Sequence, residues 1–322
     1  MNLAILGTGL IVNEGALPAL VEVPEISVTA IFARPHSRDK AENLAKKYSI
    51  KKIYTDYDEL LADSEIDFVY IGLINSVHYE YAKKALAANK NVIVEKPFAT
   101  SAAEVIEIKN LALEKNLYVF EAVTTLNLEN FSAIQKKLPE LGKIRAVTAN
   151  YSQYSSRYDK YLNGEVAPAF DPKLFGGALY DLNIYNLNFI IGLFGEPASV
   201  DYTANIGFNG VDTSGVAILK YKDFFATAIA AKDSASPSFA IIQGEKGYIK
   251  VIGSPNILNE FEFCLRGGNV EKFALNKFSH RMTSEFKNFA KIYHEKNFDR
   301  MAAGLENSVA VMKTAETLRE KI

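Results

Sequence analysis

The sequence predicts two domains: a doubly wound, parallel α/β domain over residues 1–121, then an α+β domain over residues 122–322 with a large, mostly antiparallel sheet. Three observations carry this expectation. Short β-branched runs alternate with helical stretches through the first 120 residues. A glycine pair, Gly7-Thr8-Gly9, follows the first of those runs directly. Beyond Glu121 the texture changes to longer, alternating strands with few helices between them.

Taken in order, strands are expected over residues 3–6, 28–33, 68–73, 92–95 and 117–120. Each is apolar with little alternation, as strands buried on both faces are. Helices are expected over 38–48, 77–89 and 101–116. The second puts Tyr81, Ala85 and Ala88 on one stripe, and the third Val105, Ile108 and Ala112. Strand–helix alternation implies parallel strands joined by crossovers, a Rossmann-like arrangement. In the second domain, residues 144–154, 199–206, 215–221, 224–231, 248–252, 261–265 and 270–275 read as strands with turn residues between them. Without crossovers, such strands pair antiparallel. Helices over 283–293 and 307–321 close the chain.

Composition narrows the function. With 36 basic and 38 acidic residues the net charge is −2, so no basic excess points to nucleic acid. No apolar run reaches the length of a membrane span, and the apolar N-terminus lacks a basic leader region and is broken by two glycines. The single cysteine, Cys264, cannot form an internal disulfide, which suits a reducing compartment. The expectation is a cytoplasmic chain acting on a small-molecule substrate. The segment 224–231, FFATAIAA, has apolar residues on both faces, which suggests that the outer face of the second sheet is covered in a homodimer.

Four motifs carry chemistry. Gly7-Thr8-Gly9, with Leu10 and Ile11 behind it, allows a tight turn and close approach of a pyrophosphate to a helix N-terminus. Val12 stands where the usual third glycine would be. The second strand ends in Ala33-Arg34, with Ser37 and Arg38 beyond, where NAD-binding versions of this arrangement place an acid for the ribose 2′-hydroxyl. A guanidinium there suits the 2′-phosphate of NADP, or is a solvated charge at a helix start; NADP is favoured, with NAD possible. After the third strand comes GLINSVH. Its Asn75 and Ser76 cap the next helix or face the cofactor, and His78 touches cofactor or substrate or else satisfies local backbone groups. The fourth strand ends in Glu95-Lys96-Pro97, which places a lysine where open α/β sheets bind ligands.

Downstream, residues 175–194 read FGGALYDLNIYNLNFIIGLF. On a regular helix Asp181, Tyr185 and Asn188 share one stripe of an otherwise apolar cylinder. Polar groups so placed need partners or a ligand, and a structural Asp–Tyr pair within the core is the competing account. Arg157, Tyr158 and Asp159 lie in a polar stretch that helps select substrate or is simply a surface loop.

With GTG, NSVH, EKP and GGALYDLNIY in this order, the chain resembles the Gfo/Idh/MocA oxidoreductases over essentially its whole length. The resemblance implies NAD or NADP in the first domain and a substrate cleft, often with a dimer interface, in the second. It implies that Lys96 is the catalytic lysine, that Glu95 and Lys96 stand at the cofactor, and that Pro97 is the family's often cis proline. Many members carry D-x-G-x-H, whose histidine is the acid/base; here Tyr185 stands in its place and Asn183 in that of the glycine. Tyrosine there is similar to the branch of glucose–fructose oxidoreductase and dimeric dihydrodiol dehydrogenase. The implied chemistry is reversible hydride transfer between nicotinamide and a secondary alcohol or ketone of a sugar, polyol or diol. A redox-neutral lyase or glycosidase of the same family, or a cofactor-binding sensor, is the alternative. A phenol with a pKa of about 10 needs a cation to act near neutrality, the part Lys96 would play. Asp181 would orient Tyr185 or Lys96, or bind a substrate hydroxyl.

Overall fold

Short segments that are apolar on both sides have to be covered on both sides, and together with one half-buried edge strand they assemble into a six-stranded parallel sheet. In the computed structural model, which describes residues 1–322, these are β1 (Asn2–Leu6), β2 (Ser27–Phe32), β3 (Lys52–Tyr54), β4 (Phe68–Ile71), β5 (Asn91–Glu95) and β6 (Val119–Ala122). The order is β3-β2-β1-β4-β5-β6, with every pairing parallel. The strand order reverses direction beside β1, so the C-terminal ends of β1 and β4 flank the crevice where such sheets bind ligands. Those ends lead into Gly7 and Gly72, while β2 and β5 lead into Ala33-Arg34 and Lys96.

Local signals set the helix limits. Helix Arg38–Tyr48 stops at Ser49 in the left-handed region (φ 57°), and Ala102–Lys115 stops at Asn116 (φ 55°). Ser101 caps the latter by accepting from Glu104 N, and Glu104 reaches back to the Thr100 amide at 2.8 Å. Strand β3 and helix Tyr57–Ala62 were not expected from sequence. The three residues of β3 are only half-buried at the sheet edge, and six helical residues are too few to show a period.

The chain is organised in two compact units, Met1–Ala122 with Phe278–Val309, and Val123–Lys277 with Ala310–Ile322. The sequence reading kept everything beyond residue 121 in the second domain. Helix Arg281–His294 instead covers the first sheet: Phe289 stacks on Phe120 at 4.6 Å, Tyr293 meets Phe68 edge-on at 5.0 Å, and Phe286 lies 5.8 Å from Tyr70. Each such aromatic pair contributes about 0.5–1.5 kcal/mol beyond its burial. An amphipathic stripe announces a buried face without saying which sheet it covers, so the return of the chain was not legible.

The second unit contains an eight-stranded sheet: β7 (Ile144–Ser152), β8 (Ser199–Ile206), β9 (Asp212–Lys220), β10 (Phe225–Ala231), β11 (Phe239–Gly244), β12 (Gly247–Ile252), β13 (Glu260–Leu265) and β14 (Val270–Phe273). The order is β14-β13-β12-β11-β7-β10-β9-β8, antiparallel except for the β7–β10 pair. Strand β11 is not among the strands expected from sequence; its apolar run is only four residues long, behind Ser236-Pro237-Ser238. One face is buried through Val147, Ala149, Ala226, Ala228, Ala240 and Ile242. Helix Ile184–Phe194 lies against β7 and β10 on the buried side, preceded by a π-helical turn, Leu179–Asn183. Asn183 and Asn186, both buried, donate to the carbonyls of Ala228 and Ile229 in β10. These bonds satisfy polar side chains inside an apolar layer and fix the helix on the sheet.

Candidate functional site

In the first unit a cleft of about 340 Å³ opens at the C-terminal ends of β1, β2 and β4, lined by Gly7, Thr8, Gly9, Ile11, Arg34, Ser37, Lys40, Gly72, Val77 and Tyr81, among others. Its geometry follows from the glycines. Gly7 has φ +109°, and a Cβ there would lie 2.6 Å from the Gly72 carbonyl oxygen. A Cβ on Gly9 would meet no atom within 4 Å, so that glycine leaves open space at the cleft wall. The missing third glycine has a local compensation. Val12 is fully buried, and it is Gly72 on the neighbouring strand end that lacks the side chain: a Cβ there would lie 2.7 Å from a Val12 methyl. The close packing has moved from one partner to the other. These features fit a dinucleotide, with the phosphates over Gly7–Gly9.

The far end of the cleft is lined differently from what the sequence predicts. Arg34 and Ser37 line it, but Arg38 is turned into an ion pair with Glu42 (2.9 Å) on the exposed face of its own helix. Lys40, passed over in the sequence, supplies the second cation. Leu10 is 56% exposed and outside the lining. Tyr81 enters from the next helix, packed on Tyr57 at 4.8 Å, although its stripe suggested only a core residue.

The Glu95-Lys96-Pro97 turn ends β5, with a cis bond between Lys96 and Pro97. Glu95 does not face the cleft. It is buried and accepts a 2.5 Å hydrogen bond from the Tyr70 phenol, and burial pushes its carboxyl above the usual range. His78 is fully buried too, with Nδ1 2.9 Å from the Pro97 carbonyl and Nε2 3.1 Å from that of Leu73. Burial pushes its pKa down, and the Lys96 cation adds to this. Of the two roles open to His78, the structure favours tying backbone together over contact with a cofactor. Asn75 lies in a short 3₁₀ turn, and the N-cap position of the following helix is Val77.

In the second unit Asp181 sits in the π-helical turn and Tyr185 at the start of the regular helix. The turn departs from the regular helix expected for this segment, and Asn188 bonds back to the Ile184 carbonyl at 2.9 Å. Such turns recur at functional sites. Asp181 pairs with Lys232, Oδ2 to Nζ 2.7 Å. Lys232 also donates to the Ala169 carbonyl (2.6 Å) and rests 4.4 Å above the Phe170 ring. The Lys232 side chain is 2% exposed and that of Asp181 37%, so the lysine anchors a carboxylate that still reaches solvent. Lys232 was missed, yet it directly follows an apolar strand, the signal that singled out Lys96. Tyr185 is 6% exposed, its ring 5.9 Å from that of Tyr151. Tyr158 packs with Tyr161 against Phe170, whereas Arg157 is exposed.

Residues 1–123 match the oxidoreductase family with the NAD-binding Rossmann fold, GFO/IDH/MocA, and residues 138–250 match the GFO/IDH/MocA C-terminal domain. A relative in Bacillus subtilis (strain 168), scyllo-inositol 2-dehydrogenase (NADP(+)) IolU, is 32% identical over 322 residues, 100% of this chain and 97% of its own. The chain belongs to the GFO/IDH/MocA oxidoreductase family. It is an NAD(P)-dependent oxidoreductase acting on hydroxyl or keto groups. A trans-1,2-dihydrobenzene-1,2-diol dehydrogenase of Xenopus tropicalis is 30% identical over 252 residues, 77% of this chain and 74% of its own. In fold, the chain is similar to KijD10, a 3-ketoreductase from Actinomadura kijaniata solved with NADP and TDP-benzene. The TM-score is 0.86 at 22% identity, over 100% of this chain and 97% of that one. No helix of the chain is long and apolar enough to cross a membrane.

Proposed function

We propose that this chain is an NADP(H)-preferring dehydrogenase of secondary hydroxyls on a sugar, polyol or diol, with Tyr185 as proton donor and acceptor and Lys96 as its electrostatic support. Two observations support the reading, one in each unit: a lysine follows β5 at the end of the nucleotide-binding sheet, and a buried phenol comes just after a carboxylate anchored by Lys232. The nicotinamide supplies or accepts the hydride when bound. Tyr185 takes the hydroxyl proton in oxidation and returns it in reduction. Asp181, held by Lys232 and still partly exposed, accepts a hydrogen bond from a second substrate hydroxyl. Arg34, Ser37 and Lys40 hold the 2′-phosphate. The two named relatives act on an inositol and on a dihydrobenzene diol, which favours hydroxyls on a six-membered ring.

With NADP⁺, a panel of ring polyols, sugars and diols should include one that reduces the cofactor, while NAD⁺ needs a higher concentration. A charge-assisted contact is worth about 1.5–3 kcal/mol, so Arg34→Ala should weaken NADP⁺ at least about tenfold and leave NAD⁺ unchanged. Equal affinities in the wild type, or no reduction by any compound, would oppose the reading.

The enzyme is cytoplasmic, takes no nucleic acid, and works as a homodimer through the outer face of the second sheet. That face exposes Ile218, Phe225 and Ile252 at 39%, 52% and 40%, an apolar surface suited to a second copy. Light scattering at micromolar concentration should report twice 35.6 kDa, and a particle of 35.6 kDa would contradict it.

A further inference from the structure

Three buried carboxyl groups, Glu95, Glu121 and Glu285, belong to the first unit, and Glu121 reaches the lysine turn from the neighbouring strand β6. Its Oε1 accepts from the Phe98 amide at 3.1 Å, two residues beyond Lys96, and its Oε2 accepts from the Ser308 hydroxyl at 2.6 Å. On the other side, the Pro97 carbonyl is held by His78. Residues 96–98 are therefore gripped by a buried acid and a buried imidazole.

We propose that Glu121 is a positioning residue, whose carboxylate fixes Lys96 by binding the Phe98 amide. The inference rests on the reading that Lys96 supports the reaction. Glu121 is 8% exposed, the last residue but one of β6, and aligned with Val94 of β5. The groups that face it are Glu95 and Lys96 from the end of β5 and Ser308 from helix Phe298–Arg319. Behind Glu95 stand Tyr70 on β4 and Glu285 with Arg281 on helix Arg281–His294. Glu285 has both oxygens buried without a hydrogen-bond partner, and burial together with the Glu95 charge raises its carboxyl well above the usual range.

Burial raises the Glu121 carboxyl to about 7, against the opposing pull of Ser308, Phe98 and Lys96. Above that pH the carboxylate accepts two bonds, one from an amide and one from a hydroxyl. Below it, the acid proton on Oε2 turns toward Ser308, which donates instead to the Gly304 carbonyl, 3.3 Å away. The Phe98 amide is then left with a neutral acceptor, about half as strong as a charged one. A folded pKa above the unfolded value means this group stabilises the fold when protonated. Its contribution fades as pH rises through about 7, just as the grip on Phe98 tightens. Activity and stability therefore run in opposite directions with pH.

Glu121→Gln reproduces the protonated state, with its carbonyl toward Phe98 and its amide toward Ser308. Turnover of wild type should rise across pH 6–8; Glu121→Gln should be flat over that range and about tenfold slower at pH 8, with NADPH affinity unchanged. Exchange of the Phe98 amide, followed by NMR, should be faster in Glu121→Gln than in wild type at pH 8. Ser308→Ala removes a bond that lowers the Glu121 pKa, so it should move the rise in turnover to higher pH without abolishing it. An unchanged pH profile in Glu121→Gln, with Phe98 as protected as in wild type, overturns the proposal. Lys96→Met measured alongside separates the two claims: wild-type turnover in that variant overturns the role of Lys96, whatever Glu121 does.

Discussion

Tyr185→Phe is expected to keep the fold and the cofactor affinity of the wild type and to turn over about 10²–10⁴-fold more slowly, the usual contribution of a positioned acid/base. The ring fits the same buried site beside Tyr151, so the loss falls on the proton alone. Lys96→Met should also be slow, and the pH optimum of its remaining activity should move upward, because the phenol would lose its cation. The double variant should be little worse than either single one, since both residues serve one transfer. If Asp181 and Tyr185 were only part of a core, Tyr185→Phe would lower the melting temperature and leave turnover nearly intact.

The second large effect separates folding from binding at the two glycines of the cleft. Gly7→Ala puts a methyl 2.6 Å from a backbone oxygen at φ +109°, where neither neighbour can yield cheaply. Strain and overpacking of about 2–5 kcal/mol would lower the melting temperature on the order of 5–15 °C. Gly9→Ala meets no atom of the chain within 4 Å, so its melting temperature should be unchanged. Its methyl would instead occupy the space given to the pyrophosphate, weakening NADPH by about 10–100-fold in fluorescence titration. Wild-type affinity in Gly9→Ala would mean that the dinucleotide does not pass over this turn.

The first sheet was legible because its strands, such as Phe68–Ile71, are buried on both faces and show it as unbroken apolar runs. So was the cleft, because Gly7 and Gly9 follow β1 directly, where a tight turn and close backbone approach both favour glycine. Less visible were features that depend on what lies opposite. Lys40 and Arg38 are both cations two residues apart, and only the helix phase sends one to the cleft and the other to Glu42. Glu95 and His78 sit in the right motifs yet turn inward, because β5 and the helix before it bury those positions. Lys232 lies 51 positions from Asp181, and no local pattern links them. The π-helical turn at Leu179–Asn183 leaves no mark in a wheel drawn at 3.6 residues per turn.

A net transfer of hydride to the cofactor, coupled to a proton handled by Tyr185, is the central step. It is tested most directly with a ring polyol or diol deuterated at the carbinol carbon, incubated with NADP⁺ and followed by mass spectrometry of the NADPH formed. The prediction is one deuterium in NADPH for each ketone produced, at a rate about 10²–10⁴-fold lower in Tyr185→Phe. Product accumulating without labelled NADPH, or label transfer by Tyr185→Phe within about threefold of wild type, would contradict it.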